Sequence, residues 1–102
     1  MSIQKRYKPG VRKDLVISAA LDMAEQGHYL TTTRDALARA AGVTGSAVGY
    51  HFATMAQLRG DVMRAAIKQE RLAIIAQGIT SGDPRAAKAD PVLRRRAMES
   101  VL

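Results

Sequence analysis

Lys5, Arg6, Lys8, Arg12 and Lys13 all fall within residues 1–13, and no acidic residue lies among them. A run of this kind offers positive charge to a polyanion. Thr33, Thr44, Ser46 and Tyr50 form a second group, uncharged, whose hydroxyls can both donate and accept hydrogen bonds. His28 and His51 are the two histidines. Ser46 and His51 are five apart, so on one helix they point about 140° away from each other, which is no geometry for a nucleophile and its base. There is no cysteine. Neither histidine has a thiol or a helically spaced carboxylate to complete a metal site, so no metal and no cofactor are expected. Asp22 and Glu25 fit a solvated helix face. The chemistry on offer is binding, and an enzyme is not expected.

The charge is unevenly spread. Residues 1–13 carry +5, residues 14–78 are neutral, and residues 79–102 carry +2. A basic arm leading into a neutral body suggests a partner rich in phosphate, against the plainer reading of a solubilising tail. A length of 102 residues suits one modest core. Aromatics are 4% of the chain, so alanine supplies much of the apolar content, which favours close-packed helices over strands. No apolar run approaches the ~20 residues of a membrane span, and no apolar stretch follows the basic arm as in a signal peptide. A cytoplasmic protein with no membrane partner is expected.

These residues must be positioned by helices. Residues 1–10 read as a basic flexible arm ended by Pro9-Gly10. Val11 to Gln26 has helical spacing, with Val16, Ala20, Met23 and Ala24 on one face, and Gly27 stops it. His28 to Thr32 reads as a loop. Thr33, with Thr32 as competitor, caps a second helix that Gly42 ends. A third helix runs from Gly45 or Ser46 to Phe52. Thr54 and Gln57 form a capping box that opens a longer fourth helix reaching Gly78. The stretch 79–90 is the segment expected to be most flexible. Asp83-Pro84 and Asp90-Pro91 each look like a cap followed by proline at the first helical position, and the second should open a helix from Pro91 to Leu102.

The pair of helices around Leu37-Ala38, Ala41-Gly42-Val43 has the spacing of a helix-turn-helix. Ala38 lets the next helix cross closely, Gly42 permits positive φ, and Val43 buries between the two. The second helix of such a motif projects into a major groove. An ordinary helical hairpin would use similar residues. The wider pattern is more specific. Residues 11–66 resemble the N-terminal DNA-binding domain of TetR/AcrR-family transcription regulators. The stretch Val16-Ile17-Ser18-Ala19-Ala20-Leu21 is similar to that family's first helix, and Thr33 to Thr44 to its second helix and turn. Val48-Gly49-Tyr50-His51-Phe52 with Leu58 is similar to its recognition helix and the start of helix four. The resemblance implies an all-α fold: a three-helix helix-turn-helix domain with a longer fourth helix and a short C-terminal helix. It also implies that Thr33 meets a phosphate. By the same token Thr44, Gly45, Ser46 and Ala47 approach base edges, Gly49 and Tyr50 lie at the same surface, and His51 meets the backbone.

The sequence departs from that family in four ways. Many members carry an aromatic where this chain has Gly49, and a lysine where it has Met55. The recognition helix has no Lys or Arg, which puts more of the affinity on Lys5, Arg6, Lys8, Arg12 and Lys13. The family's large ligand-binding domain has no counterpart here, so no small-molecule ligand is expected. Residues 11–78 then form the domain, and 79–102 a short segment able to dimerise. Candidate interface residues are Leu72, Ile74, Ile75 and Ile79, with Val92, Leu93, Met98, Val101 and Leu102; their alternative is internal core. The expected role is a homodimeric, sequence-specific binder of double-stranded DNA that represses by steric occlusion. The alternatives are a helix-turn-helix protein-interaction module and an RNA-binding module, the latter from the G-x-x-G at Gly42-Val43-Thr44-Gly45.

Overall fold

The computed structural model describes residues 9–102. Lys5, Arg6 and Lys8 lie outside the described residues. Helix α1 spans Pro9–Met23. It begins two residues before the expected start, because proline lacks only an N–H that the first turn leaves unpaired anyway. A wide turn at Ala24–His28 follows, broken at Gly27 with φ 96°. Helix α2 is Arg34–Ala41, α3 is Gly45–His51 and α4 is Met55–Lys68. Helices α5, α6 and α7 are Leu72–Ser81, Pro84–Ala87 and Pro91–Glu99. No strand occurs among the described residues, so the fold is all-α.

Local signals set most of these boundaries. The Thr33, Thr44 and Thr54 hydroxyls each accept an N–H three residues on, at 3.2, 3.0 and 3.0 Å. Gln57 reaches back one residue past the cap and accepts from the Ala53 N–H at 3.2 Å, in place of the Thr54 N–H of the expected box. Asp83 and Asp90 cap α6 and α7 ahead of their prolines, as expected.

Helix four does not run on to Gly78. It stops at Lys68, and Glu70 takes φ 54° before α5 begins. A left-handed non-glycine residue costs about 1–2 kcal/mol. Folding α5 back buries Ile74 and Ile75 completely, and full burial of such side chains contributes about 1.5–3 kcal/mol each, so packing wins. Gly78 consequently is no stop but lies buried inside α5, where a Cβ would collide with the Met63 side chain and sit 2.8 Å from the Ala86 Cβ. The actual stop is Gly82, with φ 80°. The stretch 79–90 is therefore mostly helical, and α7 ends at Glu99, short of Leu102.

One core joins all of these helices. Val16, Leu21, Leu37, Val48, Phe52, Leu58, Met63, Ile74 and Ile75 are its large members, and Ala86 and Ala97 extend it to α6 and α7. The core takes in several of the candidate interface residues. Ile74 and Ile75 are internal, and Leu72, Ile79, Leu93 and Met98 pack against the same core. Of those candidates only Val92, Val101 and Leu102 are exposed. For Ile74 and Ile75 the internal-core alternative holds, since a chain with so few aromatics needs its isoleucines inside.

Two polar links cross from the first helices to α5 and α6. Gln77 donates to the Ala24 carbonyl at 2.7 Å, satisfying an orphan acceptor beyond α1, and accepts from the Tyr29 N–H at 3.3 Å. Tyr29 is buried, and its hydroxyl donates to Asp83 Oδ2 at 2.6 Å, with the Arg59 carbonyl 3.1 Å away. Burial and then the hydrogen bond to the Asp83 carboxylate hold the Tyr29 phenol well above its ordinary pKa.

Candidate nucleic-acid interface

The turn between α2 and α3 is built by backbone geometry. Gly42 adopts φ 71° and ends α2, its N–H donating to the Arg39 carbonyl at 3.3 Å. The Val43 N–H donates to the Ala38 carbonyl at 3.0 Å. The orphan carbonyls of α2 are thus satisfied while the chain reverses. Val43 packs against the core, and Ala38 is buried at the crossing. Thr44 follows at once as the cap of α3. The G-x-x-G of residues 42–45 is this turn; no sheet of an RNA-binding module accompanies it among the described residues.

Helix α3 is anchored on one face and open on the other. Val48 and Phe52, at i and i+4, are 0% and 1% exposed. Tyr50 is 80% exposed. Ser46 lies one turn before it on the same outward face and is also exposed. A large aromatic side chain in water on a rigidly seated helix is a surface that awaits a partner. Ala47, Gly49 and His51 flank this face at intermediate exposure, and the His51 ring stands edge-on to Tyr50, centroids 5.1 Å apart. Gly45 and Gly49 share a further side, against which the first turn of α2 lays Asp35 and Arg34.

The caps keep part of their hydrogen-bonding capacity. Thr33 and Thr44 each accept one N–H, which leaves each O–H free to donate outward from an exposed position. Arg12 and Lys13 sit on the first turns of α1, within the stretch read as helical from Val11 onward. Lys13 places its Nζ 5.7 Å from the centre of the Phe52 ring, so a cation stands beside the end of α3. The structure therefore brings Lys13, Thr33, Thr44 and the α3 residues to one helix-turn-helix, and Arg12 precedes Lys13 on the first turns of α1. Arg34 belongs to this group and was not singled out in the sequence. The signal that could have found it is its place directly after the Thr33 cap, opposite an uncharged recognition helix.

Residues 16–62 match the family model for bacterial regulatory proteins of the tetR family. No curated protein and no solved structure matches the chain. The matched stretch begins in α1, spans the helix-turn-helix and ends in α4. The helix-turn-helix unit belongs to the tetR family, and the chain carries the DNA-binding domain of a transcription regulator.

Proposed function

We propose that this domain reads a specific DNA duplex by laying α3 in the major groove and represses transcription by occupying the site. The observation that carries the reading is the outward face of α3, where Ser46 and the 80%-exposed Tyr50 project from a helix fixed by buried Val48 and Phe52. Ser46 reads a base donor or acceptor, Ala47 meets a thymine methyl, and Tyr50 contacts a base or the backbone. The free O–H groups of Thr33 and Thr44 suit phosphate or base acceptors, and His51 lies toward the backbone. Gly45 and Gly49, at the edge of this face, let the first turn of α2 lie close beside it. Arg12 and Lys13 supply charge, joined by Lys5, Arg6 and Lys8. Two copies act on half-sites about 34–36 Å apart, one helical turn of DNA. Residues 79–102 contribute to the pairing through Val92, Val101 and Leu102, which remain exposed. The protein acts in the cytoplasm, where such a duplex lies open to it.

The experiment is selection of bound duplexes from a random pool, then transcription in vitro from templates carrying the selected site. Transcription falls when the site overlaps the promoter and not when it lies far upstream. Equal repression from a distant site contradicts occlusion. Selection that yields no duplex motif, with single strands bound as well, returns the protein to the RNA-binding or protein-docking readings. A sedimenting monomer on DNA removes the paired half-sites.

A further inference from the structure

The recognition helix, Gly45–His51, contains no lysine or arginine. A guanidinium nevertheless lies on its surface. An ideal Cβ built on Gly49 would stand 2.9 Å from Arg34 Nη1 and 3.6 Å from Arg34 Cζ. Arg34, the first residue of α2, thus crosses the turn and rests on the bare backbone of α3. One turn earlier the corresponding position, Gly45, has Asp35 Oδ1 as its nearest neighbour, at 3.7 Å. Arg34 is exposed and takes part in none of the ion pairs among the described residues.

Gly49 has no conformational reason to be glycine. Positive φ occurs at Gly27, Gly42 and Gly82, not at Gly49. Glycine inside a helix lowers stability relative to alanine. What its missing side chain does provide is the space that the Arg34 guanidinium fills. On the helical wheel Gly49 adjoins the outward face of Ser46 and Tyr50. The guanidinium is therefore carried to the rim of the face that meets the groove, with its fork of N–H donors uncommitted.

The geometry points to Arg34 as a specificity-determining residue that reads the O6/N7 edge of a guanine from α2, in place of the basic residue that α3 lacks. Two parallel donors on a planar group match that base edge, and a lysine ammonium cannot reproduce the fork. This inference rests on the duplex-binding reading above. A phosphate contact is the competing role for the same side chain, and it leaves a different signature: a weakening that is uniform across sequences, with a salt slope lowered by about 0.9.

Duplex selection is repeated with the wild type, Arg34→Ala, Arg34→Lys and Gly49→Ala, each checked for unchanged helical circular dichroism. The wild-type motif should hold a position fixed as guanine. Arg34→Ala should lose about tenfold or more of the discrimination at that position and leave binding to scrambled duplex nearly unchanged. Arg34→Lys should not restore it. Gly49→Ala should weaken the same position alone, because the new methyl displaces the guanidinium. Unchanged preference at every position in Arg34→Ala, or a uniform weakening with the lowered salt slope, overturns the inference while leaving duplex binding intact. A wild type with no sequence preference overturns the duplex reading itself, and this inference with it.

Discussion

Tyr50 and Val48 are two residues apart on one short helix and have opposite exposures, 80% and 0%. That contrast separates recognition from stability. Tyr50→Ala is expected to leave thermal stability within about 0.5 kcal/mol, as for exposed positions generally. It should still weaken binding to the selected duplex and alter base preference. Equal binding by wild type and Tyr50→Ala would detach the exposed aromatic from function. At this scale the sequence was legible where the physics is local. Thr33, Thr54, Asp83 and Asp90 cap helices through N–H groups two or three residues away, and Gly42 takes positive φ beside its own turn. The Arg34–Gly49 approach was hidden because what fills the space at a glycine comes from another helix.

Helix α3 owes its position to elements that the periodicity identified, and helix four owes its true length to one that it did not. Residues 68–72 read Lys-Gln-Glu-Arg-Leu, all favourable to helix, with no glycine or proline. Nothing local announces the break at Glu70. The reason is tertiary: a continuous helix would carry Ile74 and Ile75 away from the core they now fill. The same packing explains why Gly78 was mistaken for a stop. It is the point where α5 passes Met63 of α4 and Ala86 of α6. Gly78→Ala should therefore destabilise the protein by about 1–3 kcal/mol through overpacking, although alanine favours helix. Chemical denaturation measures this directly. A stabilised Gly78→Ala protein would mean that the helices are not in contact there.

The whole molecule is tied together by the single core and by Tyr29, which links the helix-turn-helix half to Asp83 at the cap of α6. The phenol's pKa is raised in the folded state, by burial first and by Asp83 second. The folded protein therefore holds this proton where the unfolded chain, with a tyrosine pKa near 10, releases it. Its contribution is fully present below about pH 10 and is lost as pH rises beyond that. Urea denaturation at pH 8 and above pH 10 should show a steeper alkaline loss for the wild type than for Tyr29→Phe. Parallel losses would place the proton elsewhere. Charge also belongs to this scale, since Lys5, Arg6 and Lys8 add to Arg12 and Lys13. Removing residues 1–8 should weaken binding to every duplex alike, and the salt slope should fall by about 0.9 for each phosphate that is no longer neutralised. Above these stands the claim that the outward face of α3 reads duplex sequence. Affinity at fixed salt for a selected duplex, its scrambled version and its single strand tests that claim most directly. Roughly a thousandfold or greater preference for the selected duplex over the scrambled one is expected, the lower end for specific DNA-binding proteins, with weaker binding still to the single strand. Equal affinity for all three would contradict it.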